Sequence, residues 1–190
     1  MKKTQILAIA ALAAAATFQT AAKAEDPVSP VPGAVCNLYW VDIPTDGDPK
    51  AFRELATSLP QMPAAATFVD VAGDFKDSQK LSGVHASAGM WTGWLKTERA
   101  GTYTFLCKRF QQYCYYRYSI WVNGQKCIDA ELGQSSFNAD LQAGFNFVKI
   151  ITGNHEERAF PLSITYKKAG DLKEPMTLGP ADMFHDEEED

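Results

Sequence analysis

The chain has 190 residues, 46% of them hydrophobic, and a formal net charge of −5. That length suits one domain with a full core. The acidic balance argues against general nucleic-acid binding, which needs cations to meet phosphates.

The N-terminus reads as a targeting segment. Lys2 and Lys3 make a positive start, Ile6 to Phe18 is an apolar run, and Ala22-Lys23-Ala24 offers small residues where a signal peptidase reads. The expectation is a signal peptide over residues 1–24, cleaved after Ala24. The run is too short for a membrane span of ~20 residues, and no cysteine follows it to carry a lipid. The segment takes three lysines and no acids with it. The mature chain then holds 15 basic and 23 acidic residues, a net charge of −8. Five of the acids form the run Asp186 to Asp190, the composition of a solvated tail. The expected setting is the periplasm or the cell exterior, with no membrane span in the mature form.

Residues 25–32 form a proline-rich leader. Asp42, Asp46 and Asp48 in DIPTDGDP lack the spacing and the terminal glutamate of a calcium loop and read as a proline-bounded turn. Lys50 to Leu59 is the one helical stretch: Pro49 precedes it, Phe52, Leu55 and Ala56 share a face, and Pro60 stops it. Pro63 to Val71 looks extended. From Met90 onward strand follows strand. Met90 to Leu95 is rich in aromatics, with Trp91 and Trp94 pointing to opposite faces. Thr102 to Cys107 alternates Tyr103 and Phe105 against Thr102 and Thr104. Tyr115 to Val122 alternates again, and Lys126 to Ala130 resumes after Asn123-Gly124. Asn-Gly between two such runs signals a hairpin, because both turn residues must accept positive φ. Phe145 to Ile151 and Leu162 to Tyr166 complete the set. The expected fold is all-β, an antiparallel β-sandwich with one short helix.

Four cysteines, Cys36, Cys107, Cys114 and Cys127, read as two disulfides in an exported chain. A two-residue turn at 123–124 sets Cys127 opposite Ile120, too far along the strand for Cys114. Cys107 and Cys114 flank six residues and can face each other at the base of a hairpin. By elimination Cys36 pairs with Cys127.

In order along the chain stand Asn37-Leu38-Tyr39-Trp40, Trp91-Thr92-Gly93-Trp94-Leu95, Ala100-Gly101-Thr102-Tyr103-Thr104-Phe105, and Ser119-Ile120-Trp121-Val122-Asn123-Gly124 with Cys127-Ile128-Asp129. Leu141-Gln142-Ala143-Gly144, Phe147-Val148-Lys149-Ile150 and Leu162-Ser163-Ile164-Thr165-Tyr166 follow. The ordered series resembles the PA-14 (protective-antigen fourteen) domain family over residues 33–185. The resemblance implies a β-sandwich and an association with carbohydrate binding. It also implies, in the family's sugar-binding adhesins, a pair of acids after the Tyr-x-Phe strand that hold calcium. This chain departs there. Between Phe105 and Tyr118 it carries no carboxylate, whereas calcium needs six to eight oxygens, several of them charged.

The same stretch supplies the candidate ligand site: Lys108, Arg109, Phe110, Tyr113, Tyr115 and Arg117, with Trp121 beyond. Aromatic faces can stack on sugar rings, and arginine grips carboxylate or sulfate with two hydrogen bonds. The alternative is that these aromatics pack the sandwich and the cations are loop charges. His85, His155 and His185 are widely separated and read as surface residues. No Gly-x-Ser-x-Gly, paired histidines or phosphate loop appears. The expectation is a non-catalytic, calcium-independent module with no cofactor that binds a glycan or protein partner. A structural subunit docking proteins through the aromatic-basic loop and acidic tail is the second reading, and a small hydrolase the third.

Overall fold

The computed structural model describes residues 25–43, 48–73, 75, 87–109, 116–154 and 162–187. The expected signal peptide, Phe110, Tyr113, Cys114, Tyr115, Asp46, His85, His155 and the last three tail residues lie outside them.

Two antiparallel sheets face each other. The larger holds eight strands: β1 (Pro30–Pro32), β2 (Ala34–Tyr39), β3 (Ala66–Asp70), β4 (Ala88–Thr97), β6 (Tyr116–Val122), β7 (Gln125–Glu131), β9 (Gly144–Asn154) and β12 (Met183–Asp186). The smaller holds β5 (Gly101–Arg109), β8 (Ser135–Leu141), β10 (Leu162–Lys168) and β11 (Met176–Leu178), in the order β11-β10-β5-β8. In the larger sheet β4 is central. One of its edges carries β2 and then β12; its other edge leads through β9 and β6 to β7. Strand alternation fills the space between the sheets with Leu38, Trp91, Leu95, Tyr118, Ile120, Val148 and Ile150 from one side and Tyr103, Phe105, Leu141, Ile164 and Tyr166 from the other. Trp91 is anchored there, its indole N–H donating to the buried Asp70 at 2.8 Å.

The helix α1 (Pro49–Ser58) forms where the sequence places it. Asp48 caps it by accepting from the Lys50 N–H at 2.9 Å, and a 3-10 turn over Leu59–Gln61 carries the chain through Pro60. Its apolar face covers part of the outer face of the larger sheet, where Phe52, Ala56 and Leu59 meet Tyr39, Ala88, Met90 and Ile151. The fit is tight. A Cβ on Gly153 would lie 2.5 Å from Ile43 and 2.8 Å from Phe52.

Several expectations are corrected. Pro30–Pro32, read as leader, pair as β1 with β12, and the strand extends to Asp186, read as tail. The strand β8 was not anticipated, although Phe137, Ala139 and Leu141 alternate inward. The Asn123-Gly124 turn is present, with φ of +48° and +79° and Val122 opposite Gln125. Cys127, however, does not face Ile120. The pairs Trp121–Lys126 and Ile120–Ile128 leave Cys127 as the extra residue of a bulge.

The Cys36–Cys127 disulfide is overturned. Both thiols are free. They sit on β2 and β7, with β4, β9 and β6 between them. Four strand spacings amount to about 19 Å, against the roughly 7 Å limit between Cα atoms for a disulfide. The described strands β5 and β6 do not form the expected hairpin with each other, and Cys114 lies outside the described residues. β5 pairs with β8 and β10, while β6 pairs with β7 and β9, so the chain crosses from one sheet to the other between them. Cys107 is buried and free.

Candidate functional site

The described members of the sequence-proposed site are not brought together. Lys108 is exposed on β5 opposite Ser163 in the smaller sheet, and Arg109 ends that strand opposite Leu162. Arg117, the second residue of β6 in the larger sheet, is half-buried, donating to the Ala130 carbonyl at 2.6 Å. Trp121 lies at the far end of β6, next to the Asn-Gly turn.

Trp121 belongs to a different assembly on the larger sheet's outer face, where it packs against the edge of the cluster under α1. Alternation turns Thr92, Trp94 and Lys96 of β4, and Phe145, Phe147 and Lys149 of β9, away from the core. Register then builds three rows. Lys96 faces Phe145. Phe184 of β12, Trp94 and Phe147 lie side by side. Thr92, Lys149, Trp121 and Lys126 follow. All five of these rings are half-buried. Trp94 meets Phe147 edge-on at 5.6 Å, and Phe145 meets Phe184 edge-on at 5.7 Å. The Lys149 ammonium stands 4.2 Å from the Trp121 ring centre and that of Lys126 stands 5.5 Å away, both within cation–π range. Burial and then the neighbouring Lys126 hold the Lys149 ammonium below the usual lysine range. The indole N–H of Trp94 is buried without a hydrogen-bond partner among the described residues.

Polar contacts fix this face. Asn123 accepts from the Phe147 N–H at 2.9 Å and donates to Asn146 at 3.0 Å. The buried Asn146 in turn donates to the Gln142 carbonyl at 2.9 Å. Asp129 takes Lys126 at 3.1 Å and Arg53 of α1 at 2.8 Å, tying the lysine edge to the helix. Of these residues the sequence pointed to Trp121, and to Trp94 by its opposition to Trp91. Lys126 follows from the hairpin, which sets it opposite Trp121, whereas Lys149 and Lys96 carried no local signal, because their meeting with these rings depends on register between distant strands.

A second feature adjoins the face at Lys96. The mouth of the sandwich between the end of β4, the start of β5 and the end of β10 opens into a cavity of about 310 Å³. Tyr103 and Tyr166 line it, with the loop at 171–174 beside them. The Tyr103 hydroxyl donates to the Arg99 carbonyl at 2.8 Å. Burial, then Asp182 and Tyr103, push the Tyr166 phenol up to about 12. Among the described residues no three His, Cys, Asp or Glu side chains gather as a metal site, and no helix is long and apolar enough to cross a membrane.

No family model matches the sequence, and no curated protein does either. Solved structures do. The PA14 domain of the MpAFP antifreeze protein is 17% identical, with a TM-score of 0.55 over 86% of this chain and 96% of that one. The A domain of epithelial adhesin 6 from Candida glabrata, solved with Galβ1-3GlcNAc, is 16% identical, with a TM-score of 0.54 over 83% and 88%. An anti-sigma factor domain-containing protein is 16% identical at a TM-score of 0.55 over 86% of this chain, which spans about half, 51%, of that one. Two packed antiparallel sheets, the strand order and these likenesses together show that the chain has the PA14 fold.

Proposed function

We propose that the chain is an exported, non-catalytic carbohydrate-binding module that needs no calcium and holds its ligand on the outer face around Trp94, Phe147 and Trp121. The observation that carries the reading is the half-buried Trp121 ring, at the border of the cluster under α1, with Lys149 at 4.2 Å and Lys126 at 5.5 Å. Rings of this kind match the apolar faces of sugars, and ammonium groups beside them match sugar oxygens or acidic substituents. The adhesin domain of like fold solved with a disaccharide supports the same class of ligand.

The test is a glycan array probed with and without a chelator, followed by titration of the captured glycan against Trp121→Ala and Lys149→Ala. Binding is expected to survive the chelator and to weaken by about fivefold or more in each variant, since each removes an interaction of about 1 kcal/mol or more. Wild-type affinity in both variants, with folding intact, refutes the assignment of the face. Loss of binding in the chelator refutes calcium independence.

A further inference from the structure

The cavity at the mouth of the sandwich carries charge that the fold does not use. Five cations line it, Lys96, Arg99, Lys167, Lys168 and Lys173, against the carboxylates Glu98, Asp171 and Glu174. That is a local cation excess in an acidic chain. Arg99 and Asp171 neutralise each other at 3.1 Å. Asp171 also accepts from the Lys173 N–H at 3.3 Å, which holds the loop bearing Lys173 beside the cavity. Lys168 follows the inward alternation of Ile164 and Tyr166 and, among the described residues, gives one hydrogen bond, to the Ala100 carbonyl at 2.7 Å. An ammonium has three donors, so two remain. Lys173 has no ion pair among the described residues, and neither do Glu98 and Glu174.

We propose that this cavity binds the acidic end residue of a glycan, a hexuronate, with the sugar carboxylate on Lys168 and Lys173 and its hydroxyls donating to Glu98 and Glu174. The inference rests on the carbohydrate reading above and extends it to ligand class. Three physical points favour a uronate over other anions. A bare sulfate or phosphate would gain from the lysines but meet repulsion from the two free glutamates, whereas sugar hydroxyls are donors those glutamates can accept from. A volume of about 310 Å³ is at the small end of ligand cavities, right for one sugar residue and not a chain. The cavity also continues from the aromatic face at Lys96, whose ammonium lies 5.5 Å from the Phe145 ring centre, so one glycan can lie on the face and end in the cavity.

The experiment titrates wild type, Lys173→Glu and Trp121→Ala with two tetrasaccharides, one ending in glucuronate and its twin ending in glucose, at low and high salt. Wild type is expected to prefer the glucuronate end by about tenfold, the gain of one charge-assisted contact, with the preference shrinking as salt rises. Lys173→Glu, on an exposed loop, is expected to lose the preference while still binding the glucose-ended twin. Trp121→Ala is expected to weaken both. Equal wild-type affinity for the twins, or an undiminished preference in Lys173→Glu, overturns the cavity assignment and leaves the face standing. No binding of either twin by wild type overturns both. Competition by inorganic sulfate or by N-acetylglutamate as strong as by free glucuronate shows a general anion site, which also overturns the proposal.

Discussion

The free thiol of Cys107 has a consequence in alkaline solution. Burial between the sheets raises it from 9.0 to about 12, and Tyr166, buried beside it in the same core, rises from 10.0 to about 12. Between pH 9 and 12 the folded thiol keeps a proton that the unfolded chain has lost. The unfolded state therefore binds fewer protons, and stability falls as pH rises. Each such group contributes a slope of about −1.4 kcal/mol per pH unit. Cys107 then removes about 4 kcal/mol over the interval, and Tyr166 about 3 kcal/mol between pH 10 and 12. Together these match a large part of the 5–15 kcal/mol typical of a domain, so unfolding is expected within the range. Cys36, also raised by burial and by Asp70, acts in the same direction. The assay is urea unfolding followed by tryptophan fluorescence at half-unit steps from pH 8 to 11, on wild type and Cys107→Ala. The variant starts less stable, because a small void opens, but its slope between pH 9 and 10 is shallower by about 1 kcal/mol per unit, because the unfolded thiol is only half ionised at pH 9. Identical slopes would mean that Cys107 carries no titrating thiol, as in a disulfide, and would refute the reasoning.

Gly153→Ala drives a methyl into Ile43 and Phe52 and is expected to cost about 1–3 kcal/mol by lifting α1, read as a lowered melting temperature. Asp70→Ala removes the acceptor of the Trp91 indole and of the Ala72 N–H; a loss of about 2–5 kcal/mol is expected in urea unfolding. Millimolar calcium is expected to leave the melting temperature unchanged, whereas a site filled at a hundred times its dissociation constant adds about 2.7 kcal/mol and raises it by several degrees. Mass spectrometry of protein recovered from the exporting cell is expected to find Glu25 at its N-terminus, and an intact Met1 would overturn the signal-peptide reading.

What the sequence determined by itself is what local chemistry enforces. Alternation assigned Tyr103 and Phe105 to the core and set Trp91 against Trp94, because successive side chains on a strand must leave opposite faces. Pro49 and Pro60 bounded the helix, and Asn123-Gly124 closed its hairpin, because few residues tolerate positive φ. Only the tertiary structure decided which strands are neighbours. Alternation assigns a residue to a face without naming the strand beside it, so the stretch after Cys107 read as a hairpin, whereas β5 and β6 pair in different sheets. The same limit separated Cys36 from Cys127 by three intervening strands. It also hid Lys149: the Asn123-Gly124 hairpin sets Lys126 opposite Trp121, but Lys149 meets Trp121 only because β9 pairs with β6. The register of β9 on β6 is set by long-range pairing, and no window of the sequence contains it.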